Sequence, residues 1–148
     1  MATIPLPPDF SEFLKLLQDH EVKYLLIGGY AVSFHGYVRA TGDMDIWIKR
    51  ENENAKKLMN VLESFGFKTE NISPELFLKP ENVIRMGVPP IRIELMNSIS
   101  GVEFSECYGN RVEEIWNGVR VNIISLDQLR KNKKASGRLK DLSDLEHL

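Results

Sequence analysis

Apolar residues recur along this chain at two spacings, one helical and one alternating, and their order sets the expected architecture. Phe10, Phe13, Leu14 and Leu17 form a helical stripe. Pro7-Pro8 stops the arm before it, and Asp9, with Glu12 three residues on, is placed as its N-cap. Residues 22–27 are a short apolar run that reads as a buried strand ending in Gly28-Gly29. These glycines turn the chain into a second helix over 30–35, and Gly36 ends it. Residues 39–42 are a loop. Residues 44–48 are a strand with Met44, Ile46 and Ile48 on one face and Asp43, Asp45 and Trp47 on the other.

Ala55, Leu58, Leu62 and Phe65 make the next helical stripe, closed by Gly66. The stretch after it reads as a strand, then a short helical turn at 74–77. Residues 82–86 and 91–95 are strands around Pro89-Pro90. In the second, Ile91, Ile93 and Leu95 face one way and Arg92 and Glu94 the other. Residues 112–116 and 119–124 flank Asn117-Gly118, the best hairpin signal in the chain. Ser125 with Gln128 forms a capping box before a basic helix. Gly137 breaks that helix, and Leu139, Leu142 and Leu145 mark the last one. No repeat, low-complexity segment or linker interrupts the pattern. Helices alternate with strands, so the expected fold is a single α/β (α+β) domain over residues 1–148, a mixed sheet flanked by helices.

Composition narrows the function classes. The chain has 148 residues, 43% of them hydrophobic, and a formal net charge of −2. That is enough to bury one core, and it excludes a strongly basic nucleic-acid clamp while leaving room for a local basic patch. Cys107 is the one cysteine, so neither an internal disulfide nor a thiolate zinc cluster can form. His20, His35 and His147 lack metal-ligand spacing. No signal peptide is recognisable, and no apolar run approaches the ~20 residues of a membrane span. A cytoplasmic protein is expected.

The chemistry concentrates at Asp43 and Asp45. Strand alternation brings both carboxylates to one face, a few ångströms apart. Like charges held so close repel unless a cation lies between them. A hard cation such as Mg²⁺ takes carboxylate oxygens and keeps positions open for phosphate and water, the chemistry of phosphoryl or nucleotidyl transfer. An isolated Asp-x-Asp also suits a solvated strand end, but this pair begins a strand that otherwise reads as core. Glu94 faces away from the apolar side of its own strand. If the two strands are neighbours, three carboxylates converge, and the third can bind a second metal or take a proton from an attacking hydroxyl. Pairing of Glu94 with Arg92 or another base is the alternative. Gly28-Gly29, between strand and helix, lets backbone approach a phosphate at a helix start, although such a turn alone is also an ordinary tight turn. Arg130, Lys131, Lys133, Lys134, Arg138 and Lys140 make a basic stretch that is either a solvated face or a source of cations for a triphosphate.

Together these residues resemble a family. Leu26-Ile27-Gly28-Gly29-Tyr30-Ala31-Val32, His35-Gly36, Arg39, Thr41 and Asp43-Met44-Asp45-Ile46 are similar to the signature of the DNA polymerase β-like nucleotidyltransferase superfamily. The likeness is greatest to its small prokaryotic members, the abortive-infection-type toxins and minimal nucleotidyltransferases. Residues 137–145 also resemble the tail of those proteins. The resemblance runs from about Val22 to the end, and implies a nucleotidyltransferase fold with an NTP as donor. It implies that Gly28 and Gly29 hold the nucleotide phosphates, with Tyr30, Arg39 and Thr41 in the same binding motif. Asp43 and Asp45 would bind Mg²⁺, at a site of two metals, with Glu94 as the third acid. Lys133, five residues before Arg138, matches a lysine often placed near the triphosphate. Two positions depart from the pattern: Tyr30 stands where many members have serine, and Glu94 where many have aspartate. His35 also fits a hydrogen-bonded core histidine, and Trp47 and Trp116 fit the core or its rim.

The expected activity is Mg²⁺-dependent transfer of a nucleoside monophosphate from an NTP to an acceptor hydroxyl on tRNA or other RNA, protein or a small molecule. A toxin paired with an antitoxin protein is one setting for it. An antibiotic-modifying enzyme like the lincosamide nucleotidyltransferases is a rival, and an inactive nucleotide-binding module is another. Intact Asp43, Asp45 and Glu94 argue against the inactive module. Polymerase activity is not expected, because no second domain is seen to clamp a long nucleic acid.

Overall fold

In the computed structural model, which describes residues 6–39, 41–88 and 91–148, Pro8 opens the first helix, α1 (Pro8–Asp19). Proline suits the first helical position, where the N–H has no intrahelical partner in any case. The N-cap is Pro7 and no side chain caps the helix, so Asp9 lies in the first turn instead of at the cap. There its charge still favours the positive end of the helix. The chain continues through β1 (Tyr24–Ile27), α2 (Gly28–Phe34), β2 (Asp43–Ile48) and α3 (Asn52–Ser64). The second helix begins at Gly28 itself, two residues before the position its sequence suggests.

A 3-10 turn at Pro74–Phe77 follows, but the strand expected ahead of it does not form. Phe67 and Ile72 instead pack on the core from an irregular connection. β3 (Val83–Val88) and β4 (Ile91–Met96) are antiparallel, and Pro89-Pro90 between them lie outside the described residues. A short helix absent from the sequence reading, α4 (Phe104–Gly109), comes next. Its six residues are too few to show a stripe, yet Phe104 and Tyr108 stack one turn apart and Phe104 meets Trp47 edge to face. β5 (Val112–Trp116) and β6 (Val119–Ile123) form the expected hairpin, with Asn117 and Gly118 at φ 52° and 78°. Ser125 caps α5 (Leu126–Ser136) by accepting a hydrogen bond from the Gln128 N–H, and α6 (Leu139–His147) closes the fold.

The six strands make one mixed sheet in the order β3-β4-β2-β1-β6-β5. β2 runs antiparallel to β1 and parallel to β4, while β1 runs parallel to β6. Met44, Ile46 and Ile48 are buried on one face of β2, and Trp47 is buried on the other. The two acids on the Trp47 face, Asp43 and Asp45, stay half-buried at the start of the strand. No helix among the described residues is long and apolar enough to cross a membrane.

Two of the three leucines that mark the last helix lie outside and two of its acids inside. Leu139 is 88% exposed and Leu142 45%, whereas Asp141 and Asp144 are each 1% exposed. The buried face of α6 is acidic because cations from elsewhere in the chain meet it, and the leucine spacing is not what docks it.

Candidate active site

β2 carries Asp43 and Asp45 toward a cleft of about 590 Å³ at the end of β1. The parallel register sets Asp45 directly across from Glu94 and Asp43 across from Arg92. All four side chains leave the same face of adjacent strands, so three carboxylates gather beside the Gly28-Gly29 turn. Gly28 has φ 66°, a left-handed conformation that favours glycine. A Cβ added there would lie 2.1 Å from Asp45 Oδ2, and one added at Gly29 would lie 2.3 Å from Thr41 Oγ1. The turn is therefore packed against the acid strand and the Thr41 hydroxyl, with no room for any side chain.

Burial first, then the charge and hydrogen bond of Glu94 and the charge of Asp43, push the Asp45 carboxyl up to about 7, against the pull of Lys140. Its neighbours are partly neutralised by arginines. Arg92 Nη2 lies 2.7 Å from Asp43 Oδ2 and 3.5 Å from Glu94, and Arg85 Nε lies 3.0 Å from Glu94. Among the described residues, no three His, Cys, Asp or Glu side chains are gathered into a ready-made metal cage. The donor set nevertheless suits a hard divalent cation: three carboxylates on one face, one of them unfavourably charged at neutral pH.

Cations share the cleft with the acids. Arg39, Lys133, Arg138 and Lys140 all line the cleft. Lys133 is buried, and its Nζ lies 3.1 Å from both Asp141 Oδ1 and Asp144 Oδ2. Arg39 gives Nε and Nη2 to Asp144 at 2.9 and 3.1 Å. The other members of the basic stretch divide: Arg138 pairs with Asp141 at 2.8 Å, while Arg130, Lys131 and Lys134 are exposed.

The structure thus brings Gly28, Gly29, Arg39, Thr41, Asp43, Asp45, Glu94 and Lys133 to one cleft. It does not bring Tyr30 there: the ring is 4% exposed and packs edge to face on Phe10. His35 bonds through Nε2 to the Ile124 carbonyl at 2.7 Å, in the role of a hydrogen-bonded core histidine. Trp47 and Trp116 are buried in the core. Sequence reasoning missed Asp141 and Asp144. Their three-residue spacing on a helix was a signal that they share a face, masked by the leucines interleaved with them.

Known structures share this fold. TM1012 from Thermotoga maritima, a candidate nucleotidyltransferase, superposes with a TM-score of 0.62 at 15% identity, over 92% of this chain and 87% of that one. The lincomycin-bound lincosamide antibiotic adenylyltransferase LnuA gives 0.56 at 14% identity, over 96% and 95%. The antibiotic-resistance factor ANT(2'')-Ia gives 0.58 at 12% identity, over 93% and 79%. At these identities the likeness is one of fold alone. No curated protein matches the chain in sequence. Residues 9–148 match the family described as nucleotidyltransferase of unknown function, DUF6036, and the chain belongs to that family of nucleotidyltransferases.

Proposed function

We propose that the chain moves a nucleoside monophosphate from an NTP to an acceptor hydroxyl in a Mg²⁺-dependent reaction that releases pyrophosphate. One observation carries this reading: Asp45, flanked by Asp43 and Glu94, is pressed onto the Gly28-Gly29 turn in a cleft that Arg39, Lys133, Arg138 and Lys140 also line. A metal-bound triphosphate needs both halves of that arrangement, carboxylates for the metal and cations for the remaining phosphate charge.

Asp43, Asp45 and Glu94 are the residues to hold Mg²⁺, which when bound would supply Lewis-acid stabilisation of the attacking and leaving oxygens. The glycine turn lets the phosphates approach backbone, with Thr41 beside it. Arg39 and Lys133 neutralise phosphate charge in the same cleft. Glu94 completes the acid set, as a ligand or as the acceptor of the hydroxyl proton. Most of the protein's contribution is positioning and charge stabilisation.

Among the described residues, the cleft lining contains cations and no aromatic ring. That favours RNA over a cationic, ring-bearing drug as the acceptor. The test is incubation with labelled NTPs, Mg²⁺ and cell extract, followed by separation of RNA, protein and small molecules. Label is expected in the RNA fraction and lost with Asp45→Asn. Label in a small-molecule fraction would replace the RNA reading with the drug-modifying one. No label anywhere and no pyrophosphate would overturn the enzyme reading.

A further inference from the structure

The two buried aspartates of α6 have no part in the reading above. Asp141 and Asp144 gather three cations that come from separate positions in the chain. Asp144 binds Arg39 through Nε and Nη2, and Lys133 at 3.1 Å. Asp141 binds Lys133 at 3.1 Å and Arg138 at 2.8 and 3.3 Å. The three cations line the cleft and the two aspartates do not. Arg39 spans the gap between the two regions. Its Nε and Nη2 face Asp144, while its Nη1 would lie 3.5 Å from a Cβ at Gly29. One guanidinium thus connects the last helix to the turn beside Asp45.

Docking α6 does not by itself require this network. Buried ion pairs contribute little net stability compared with apolar packing of similar volume. The helix carries leucines that would serve, yet Leu139 and Leu142 are left exposed while the acids go inside. What the acids add is geometry: a bidentate hold on Arg39 and a two-sided hold on Lys133.

We propose that Asp141 and Asp144 are positioning residues that fix Arg39 beside the Gly28-Gly29 turn, and Lys133 in the same cleft, to receive the triphosphate of the donor nucleotide. This rests on the nucleotidyltransferase reading of the same cleft. It differs from simple charge balance in the sign of one effect. Removing a negative charge near a phosphate site strengthens phosphate binding if the acid only offsets the cations. It weakens binding if the acid holds those cations in place.

The experiment compares the whole chain with Asp144→Asn, Asp144→Glu and Asp141→Asn. It measures binding of inorganic tripolyphosphate and of adenosine monophosphate with Mg²⁺, with thermal melting alongside. Asp144→Asn is expected to weaken tripolyphosphate binding at least about tenfold, the equivalent of one lost charge-assisted contact. Monophosphate binding is expected to change far less, and Asp144→Glu to recover part of the loss. Equal or stronger tripolyphosphate binding by folded Asp144→Asn would overturn the positioning role while leaving the enzyme reading standing. Failure of the unmodified chain to bind tripolyphosphate would overturn both. If Asp144→Asn melts below the assay temperature, equal or stronger tripolyphosphate binding by folded Asp141→Asn would overturn the proposal in the same way.

Discussion

Gly28 and Asp45 are packed so closely that a Cβ on the glycine would lie 2.1 Å from the carboxylate Oδ2. Gly28 also holds φ 66°. Gly28→Ala therefore meets two obstacles, a left-handed backbone and a carboxylate that must move. Strain of this kind costs about 1–3 kcal/mol, measurable as a lower urea midpoint. The displaced carboxylate should cut transfer more than the stability loss alone explains, when both are measured at a temperature where the variant is folded. Full turnover by Gly28→Ala would mean that the position of Asp45 is immaterial.

Asp45→Asn separates stability from function. The carboxyl is pushed from its ordinary 3.8 up to about 7 by burial, Glu94 and Asp43. Between those values the folded chain binds more protons than the unfolded chain, so stability falls as pH rises. At pH 8 the ionised group costs stability, and the amide removes that cost. The variant should melt at the same temperature as the parent or higher in metal-free buffer, while transfer is abolished. It should also lose any rise in melting temperature that Mg²⁺ gives the parent. Wild-type turnover by the variant would remove Asp45 from the metal site.

Lys133 and Lys131 occupy the same basic helix with opposite surroundings. Lys133→Ala removes the buried cation that Asp141 and Asp144 share, leaving Asp144 with Arg39 and Asp141 with Arg138. Breaking a buried pair on one side costs up to about 3–5 kcal/mol, and the arginines that remain reduce that cost. Lys131 is exposed, and its alanine variant should stay within about 0.5 kcal/mol of the parent. Chemical denaturation of the two variants decides the matter. Equal small effects would mean that Lys133 is as solvated as its neighbour.

What the sequence made legible follows from period and spacing. Strand alternation located Asp43, Asp45 and Glu94 on outward faces, and β2 and β4 are neighbours in a register that sets Asp45 against Glu94. The Asn117-Gly118 hairpin and the Ser125 cap were local signals with local causes. The arginines at the acid face were harder to place. Arg85 reaches Glu94 only because β3 pairs with β4, a fact of sheet order that no local pattern contains. The last helix was read by its leucines because hydrophobic periodicity treats acids as outward-facing. Asp141 and Asp144 escape that rule because Lys133, Arg39 and Arg138 converge on them from positions up to 105 residues away.

Acid should release the last helix before it unfolds the sheet. Burial works to raise the carboxyls of Asp141 and Asp144, but hydrogen bonds outweigh it and hold both below their ordinary 3.8. Arg138, Ser136 and Lys133 supply them to Asp141, and Arg39 and Lys133 to Asp144. As pH falls, the unfolded chain takes up these protons first, so stability contributed by the pair is complete above about pH 5 and is lost as pH drops through 3.8 and below. Asp45 acts in the opposite sense between 3.8 and about 7, where rising pH lowers stability. Melting temperature against pH should therefore show two limbs with separate owners. Asp45→Asn flattens the upper limb, and Asp141→Asn or Asp144→Asn flattens the lower. As pH drops below 3.8, protons taken up by the aspartates of the released helix favour its opening, so amide exchange should speed up first in residues 139–147 while the β1 and β2 amides stay protected. Loss of protection in the strands at the same pH as in α6 would show that the acid network does not govern the helix separately.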